Sequence, residues 1–279
     1  MDAPLRYIVI TTARNEEKTI EYVIRSVANQ TIKPTLHVVA DDASTDKTVE
    51  ISRKNNAAVY ETGNPRIPYK GHNQALGFIG AVKYATSLVP DWEYILKLDA
   101  DSIIPPRYME KLLKHFSENP RLGMAAGLSI GLSSREGRVT DGARVISRKC
   151  YEAIGGYHVR MAFDSHALLL ANQYGFKTTT FDEIRYRELR PAKKYSLQAW
   201  TLLGMERKMM YLPLYHTFMA SLKNGVTGSP PLLNAPFTFF GHLLFSPVQY
   251  DPLLDKEWVQ RYAIHEIAEF IHRYTGGKK

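Results

Sequence analysis

Short apolar, β-branched runs alternate with helix-patterned segments along the first part of this chain, and few architectures accept that alternation. Residues 7–12 read as a strand buried on both faces. Ile20, Val23, Ile24 and Val27 then recur at helical spacing. Residues 36–40 give a second strand and residues 57–61 a short third one. Between them Ser44, Thr45 and Asp46 supply capping side chains for a helix through Val49 and Ile51. A loop rich in glycine, proline and basic residues spans 63–71. Leu76, Ile79, Gly80, Lys83 and Tyr84 mark the helix after it, and residues 94–98 form a fourth strand. Such alternation implies an α/β fold of parallel strands joined by right-handed crossovers.

The strands end in acids. Residues 94–98 stop at Asp99-Ala100-Asp101, and Pro105 and Pro106 prevent continuation. The second strand runs into Asp41-Asp42, the first into Ala-Arg-Asn-Glu-Glu at 13–17. Ligands of open α/β sheets bind at the carboxyl ends of the strands, so these groups gather at one edge. Side chains at i and i+2 of an extended segment point the same way. Asp99 and Asp101 therefore repel unless something positive lies between them. Mg²⁺ or Mn²⁺, held by one or two carboxylates plus substrate phosphates, suits such a pair. An isolated Asp-x-Asp is equally a polar turn; repeated acidic strand ends are harder to dismiss. Asp41 reads as a turn or cap residue.

Further along, residues 107–118 are helical, 122–130 and 144–147 strand-like, and 148–154 helical. Gly155-Gly156-Tyr157 makes a tight turn. Asp164 opens a helix through Leu168, Leu169, Ala171 and Asn172, which Gly175 closes. Residues 177–181 read as a strand. From Ile184 the composition shifts, with Arg185, Arg187, Arg190, Lys193, Lys194, Arg207 and Lys208 clustered. Residues 251–274 pattern as an amphipathic helix capped by Asp251, with Pro252 first and Val259, Ala263, Ile267, Phe270 and Tyr274 as its stripe. The expected division is a sheet domain over 1–194 and a helical appendage over 195–279.

The chain has 279 residues, enough for one large domain and an appendage. Its net charge of +8 favours anionic partners: nucleotides, nucleic acid or an acidic membrane face. The single cysteine, Cys150, excludes an intrachain disulfide and reads as a small buried residue. With no signal-like start, a cytoplasmic location is expected, peripheral to a membrane at most. Residues 224–250 lack Lys, Arg, Asp and Glu, but prolines and glycines break them into pieces too short to span a bilayer.

Taken in order, several motifs carry a family resemblance. They are Ile-Val-Ile-Thr-Thr-Ala-Arg-Asn-Glu-Glu at 8–17, Val-Val-Ala-Asp-Asp-Ala-Ser-Thr-Asp-Lys-Thr at 38–48, Asp-Ala-Asp at 99–101, Gly-Gly-Tyr at 155–157 and Phe-Asp at 163–164. The chain closely resembles the family 2 glycosyltransferases of GT-A fold over residues 6–191, and more weakly over 205–222. The resemblance implies a Rossmann-like, mostly parallel sheet with flanking helices. It also implies an inverting hexosyltransferase that uses a nucleotide-diphosphate sugar and Mn²⁺ or Mg²⁺. Thr12 and Arg14 match the loop that contacts the nucleotide, and Asp42 matches the aspartate on the base. His72 and Asn73 fall in a segment that also touches the nucleotide, with Lys70 placed for phosphate. Asp101 matches the main metal ligand. Asp99 is the first acid of the same motif, shared between metal and nucleotide. Asp164 matches the catalytic base.

Two positions depart from the family pattern. Phe163 stands where the family usually has a second acid, leaving Asp164 alone. Glu188-Leu189-Arg190 stands where it often has His-x-Arg, which offers Glu188 as an oxygen ligand in place of histidine. The processive signature Gln-x-x-Arg-Trp is absent, so single addition is expected.

The chemistry needs a departing diphosphate neutralised and a base on the acceptor hydroxyl. Asp164 is alternatively a helix N-cap. A helix N-terminus favours its ionised form and burial opposes it, so no net pKa direction is expected. The rival class is a non-catalytic basic module binding nucleotide, nucleic acid or anionic membrane. It explains the charge but not the ordered acids, so nucleic acid is not expected as a partner. A nucleotidyltransferase would need a glycine-rich loop, and residues 13–17 hold no glycine. The expected partners are the donor and a glycan or lipid-linked acceptor, with peripheral contact to an anionic membrane through the basic cluster. Tyr211, Tyr215, Phe218, Phe237, Phe239 and Phe240 are expected in a core in preference to lipid.

Overall fold

The structure, a computed structural model, describes residues 6–63, 71–130, 141–160, 162–190, 196–227, 232–245 and 250–275. It divides into two compact units, Met1–Pro191 and Ala192–Lys279.

The first unit is built on strands β1 (Tyr7–Ala13), β2 (Leu36–Asp41), β3 (Ala58–Glu61) and β4 (Tyr94–Leu98), all mutually parallel. Four more follow: β5 (Ser102–Ile103), β6 (Leu122–Ser129), β7 (Ala143–Ser147) and β8 (Lys177–Glu188). The spatial order is β3-β2-β1-β4-β7-β6-β8-β5. β7 lies antiparallel between β4 and β6, β8 runs parallel to β6, and β5 pairs antiparallel with the end of β8. This is the mostly parallel α/β sheet of the GT-A fold.

Helices cover the sheet: α1 (Ile20–Ala28), α2 (Thr48–Lys54), α3 (His72–Leu88), α4 (Tyr108–Glu118), α5 (Arg148–Ala153) and α6 (Phe163–Gln173). α1 buries Ile20, Val23, Ile24 and Val27, the face its spacing predicts. These residues join two apolar cores with the strands. α3 is the helix expected after the 63–71 loop. Its buried face is Ala75, Gly77, Phe78, Ala81, Val82 and Ala85. Small residues let that helix approach closely; a Cβ on Gly77 would stand 3.3 Å from Thr62 and 3.8 Å from Ala40. Cys150 is buried, as read from sequence.

β8 corrects an expectation. The strand continues past residue 181, through the composition shift at Ile184, to Glu188. Ile184 and Tyr186 point inward while Arg185 and Arg187 alternate outward, so part of the basic cluster is the outer face of a strand.

The second unit contains α7 (Leu197–Met209), α8 (Leu214–Thr227), α9 (Asn234–Leu244) and α10 (Lys256–Thr275). α10 starts later than expected. Asp255 Oδ1 accepts the Trp258 amide at 2.6 Å, whereas buried Asp251 turns to the Leu253 amide at 2.8 Å. A second aspartate nearer the helix takes the cap. Val259 and Ala263 are buried as predicted; the side chains of Phe270 and Tyr274 lie outside the described residues. The aromatic residues do not form the expected core. Tyr215, Phe218, Phe237 and Phe240 are exposed, and only Tyr211 and Phe239 are partly buried. Among the described residues, no helix is long and apolar enough to cross a membrane.

Candidate active site

The edge begins where β1 and β2 end. Asn15 and Ala43 adopt left-handed backbone angles (φ 52° and 51°), which turn both loops sharply. Side chains then lace the loops together. The Asn15 amide donates to Ser44 Oγ (2.9 Å), the Thr45 amide to Asn15 Oδ1 (2.8 Å) and the Glu16 amide to Thr48 Oγ1 (2.7 Å). Asp41 accepts the Ser44 amide at 3.0 Å, the turn role read from sequence. Arg14 donates to the Asp42 carbonyl at 2.6 Å, and its guanidinium lies 3.6 Å from the Asp42 carboxylate. Thr12, partly exposed on β1, borders α3 across Gly77. His72 and Asn73 open α3, after Gly71 (φ 86°). Lys70 lies outside the described residues.

The centre of the edge is an ionic network. Lys97 on β4 and Arg144 on β7 are register partners, and each side chain is only 1% exposed. Two buried cations side by side repel and lose hydration, so anions must accompany them. Lys97 Nζ lies 3.1 Å from Asp99 Oδ1 and 2.6 Å from Asp141 Oδ2. Arg144 Nη1 lies 3.2 Å from Asp141 Oδ1 and donates at 3.2 Å to both the Tyr157 hydroxyl and the Asp164 carbonyl. Burial disfavours the charges on Lys97 and Arg144, yet the pKa of each is raised. The neighbours outweigh burial only together: Asp141 and then Asp99 at Lys97, and Tyr157, Asp141 and then Asp164 at Arg144. Burial pushes Asp141 upward too, but Lys97 and Arg144 together hold it below the usual carboxylate range.

The outer carboxylates behave differently. Burial raises the Asp99 pKa against the pull of Lys97. Burial, then the nearby Asp141 charge, raises Asp164; Arg144 and Lys97 pull it back incompletely. A direction therefore emerges where the sequence suggested cancellation. Burial likewise pushes the Tyr157 hydroxyl up to about 12. Asp164 is not the N-cap of α6. That position is Ala162 (φ 43°), and Asp164 lies in the first turn. The chain reaches α6 through Gly155 and Gly156, whose φ of 72° and 80° would strain any larger residue.

Asp101 already has a cation. Arg190 Nε donates to its carboxylate at 2.8 Å, and Arg190 Nη2 reaches Glu16 at 2.9 Å. The ladder places Glu188 opposite Ser102, one residue beyond Asp101, but the Glu188 carboxylate accepts from the Tyr186 hydroxyl at 3.3 Å. Among the described residues, no group of three or more His, Cys, Asp and Glu converges to hold a metal. Glu188 therefore does not complete a set with Asp99 and Asp101. The remaining pair still fits a divalent cation whose other ligands are phosphate oxygens, the usual arrangement for Mg²⁺ and Mn²⁺. Lys97, Asp141 and Arg144 are the structure's additions to the site, and it gives Tyr157 and Arg190, known from sequence only as motif members, their partners. Lys97 and Arg144 left a trace in sequence: each is a lone cation in a strand with no other charged residue.

A mostly parallel sheet with paired carboxylates at its edge defines a glycosyltransferase-like protein of GT-A fold. The chain belongs to glycosyl transferase family 2, whose sequence profile matches residues 8–159. An uncharacterised glycosyltransferase of Methanocaldococcus jannaschii is 31% identical over 120 residues, 43% of this chain and 39% of that protein. The chain thus aligns with about two-fifths of the length of that curated relative. TarS of S. aureus, in complex with UDP-GlcNAc, superposes with TM-score 0.59 at 17% identity, over 86% of this chain and 80% of that one. The mannosyltransferase PcManGT from Pyrobaculum calidifontis, in complex with GDP-Man and Mn²⁺, gives TM-score 0.56 at 20% identity, over 96% and 75%. At these identities the likeness to both structures is one of fold.

Proposed function

We propose that the protein transfers one hexosyl group from a nucleotide-diphosphate sugar to an acceptor hydroxyl, with inversion and with dependence on Mn²⁺ or Mg²⁺. Family membership supports the reaction class, and the nucleotide-sugar complexes of TarS and PcManGT support the donor class. One observation carries the reading. Asp164, a carboxylate with a raised pKa, feels the charges of Asp141, Arg144 and Lys97, and its backbone carbonyl accepts from Arg144; the same buried network reaches Asp99, the first acid of the Asp99–Asp101 motif. A raised pKa suits a general base that takes the acceptor's proton. Arg14 and Asp42 hold the nucleoside, with Thr12, His72, Asn73 and Lys70 around the nucleotide. Asp101 is the main metal ligand and Asp99 its neighbour. The bound cation supplies electrostatic stabilisation of the departing diphosphate. The acceptor is a glycan or a lipid-linked hydroxyl, met at the cytoplasmic side with peripheral contact to an anionic membrane.

Calorimetric titration of nucleoside diphosphates with and without Mn²⁺ tests the reading. Asp101→Ala should lose metal-dependent affinity and transfer together. Unchanged affinity and turnover would remove the metal assignment.

A further inference from the structure

The usual burial pattern is reversed in α8 and α9. Among their described side chains, every buried position is polar or glycine. His216, Thr217 and Ser221 are buried on α8; Asn234, Thr238 and His242 on α9. Every exposed position is apolar, including Tyr215, Phe218 and Leu222 on α8 and Phe237, Phe240 and Leu244 on α9. The interior groups bond to one another. Buried Arg207 donates to Thr217 Oγ1 at 3.2 Å and lies 2.6 Å from His216 Nδ1. Thr217 Oγ1 lies 2.9 Å from His242 Nδ1, and His216 Nε2 2.9 Å from Glu266. α7 and α9 cross at Gly204 and Gly241, where a Cβ on either would overlap the other helix's backbone.

Water favours the opposite arrangement, with apolar side chains inward. Polar groups facing inward and apolar groups outward, around a crossing of small residues, suit surroundings as apolar as hydrocarbon. Lys223 of α8 is the one Lys, Arg, Asp or Glu in residues 214–244, so little charge there opposes insertion, and a lysine stem can carry its charge to the headgroups. The 14 and 11 residues of α8 and α9 rise only about 21 and 17 Å, short of the roughly 30 Å hydrocarbon layer. Lying in the plane of the interface fits these lengths. A second copy of the chain would leave the polar interior unexplained, because protein interfaces add an apolar patch to helices that already bury apolar residues.

We propose that the α8–α9 face docks into the apolar layer of a lipid bilayer, held by hydrocarbon contact and not by headgroup charge. This goes beyond a charge-driven peripheral contact and does not rest on the transferase reading. Flotation of the full chain with neutral phosphatidylcholine vesicles, at low and at molar salt, tests it. Binding should occur and persist in salt. The double variant Phe218→Ser/Phe240→Ser should bind on the order of tenfold or more weakly, with melting temperature and nucleoside diphosphate affinity retained. Phe240→Trp should show an added blue-shifted emission with vesicles, relative to the parent protein. Failure to bind neutral vesicles would overturn the proposal, as would binding that salt abolishes. A dimer in light scattering that the double variant dissociates, without vesicle binding, would assign the face to a second copy instead.

Discussion

Lys97 and Arg144 set the electrostatics of the site from beneath it. Removing Lys97 takes the cation from Asp99 and leaves Asp141 with Arg144 alone, and breaking a buried pair typically costs about 3–5 kcal/mol. Lys97→Met should lose stability of that order in urea unfolding, and adding Asp141→Asn should restore part of it. Asp141 also fixes a sign. Its pKa is lowered, so its contribution is complete above the ordinary aspartate range and is lost as pH falls through the lowered value. Asp164 runs the other way. A base works ionised, so turnover should fall as pH drops through its raised pKa, above the ordinary aspartate value of 3.8. Asp164→Asn should lower kcat on the order of 10²–10⁴-fold with donor KM nearly constant; normal turnover in steady-state kinetics would return Asp164 to a structural role. Asp41, Asp42, Asp99 and Asp101 were legible because they follow strands in sequence, and Asp164 because it matches a family motif. Their buried partners were not, because a lone lysine or arginine in a strand does not announce which carboxylate it meets.

Elements declared themselves where large apolar residues set the buried face. α1 shows the stripe its spacing predicts. α3 is also a helix where its pattern predicts one, but small residues form most of its buried face, which the larger Leu76 and Ile79 do not mark. β8 outran its predicted end because alternating arginines resemble a loop in composition while keeping strand period in space. α10 offered two capping aspartates, and sequence chose the farther one. The reversed pair α8 and α9 marks the same limit: period locates a face, but polarity names the inside only when the solvent is known to be water.

The molecule divides near residue 191, and the two apolar clusters found among the described residues lie within residues 7–186. Residues 1–191 alone should therefore fold and keep metal-dependent nucleotide binding, checked by thermal melting with nucleoside diphosphate and Mn²⁺; an unfolded fragment would show that the second unit is required. Arg190 carries a last consequence. It spans Asp101 and Glu16, joining the end of β8 to the motif after β4 and the loop after β1. A site furnished with its own counter-ion fills by exchange, not by simple addition. If Asp101 ligates the metal as proposed, a divalent cation arriving alone must evict the guanidinium, and a diphosphate arriving alone finds that guanidinium already engaged. Arriving together, each relieves the other's obstacle, since the freed arginine can turn to phosphate. Binding should thus be synergistic: the Mn²⁺ dissociation constant should fall when nucleoside diphosphate is present, by the same factor in reverse order. In Arg190→Met that reciprocity should shrink, turning a coupled lock into two independent, weaker ones.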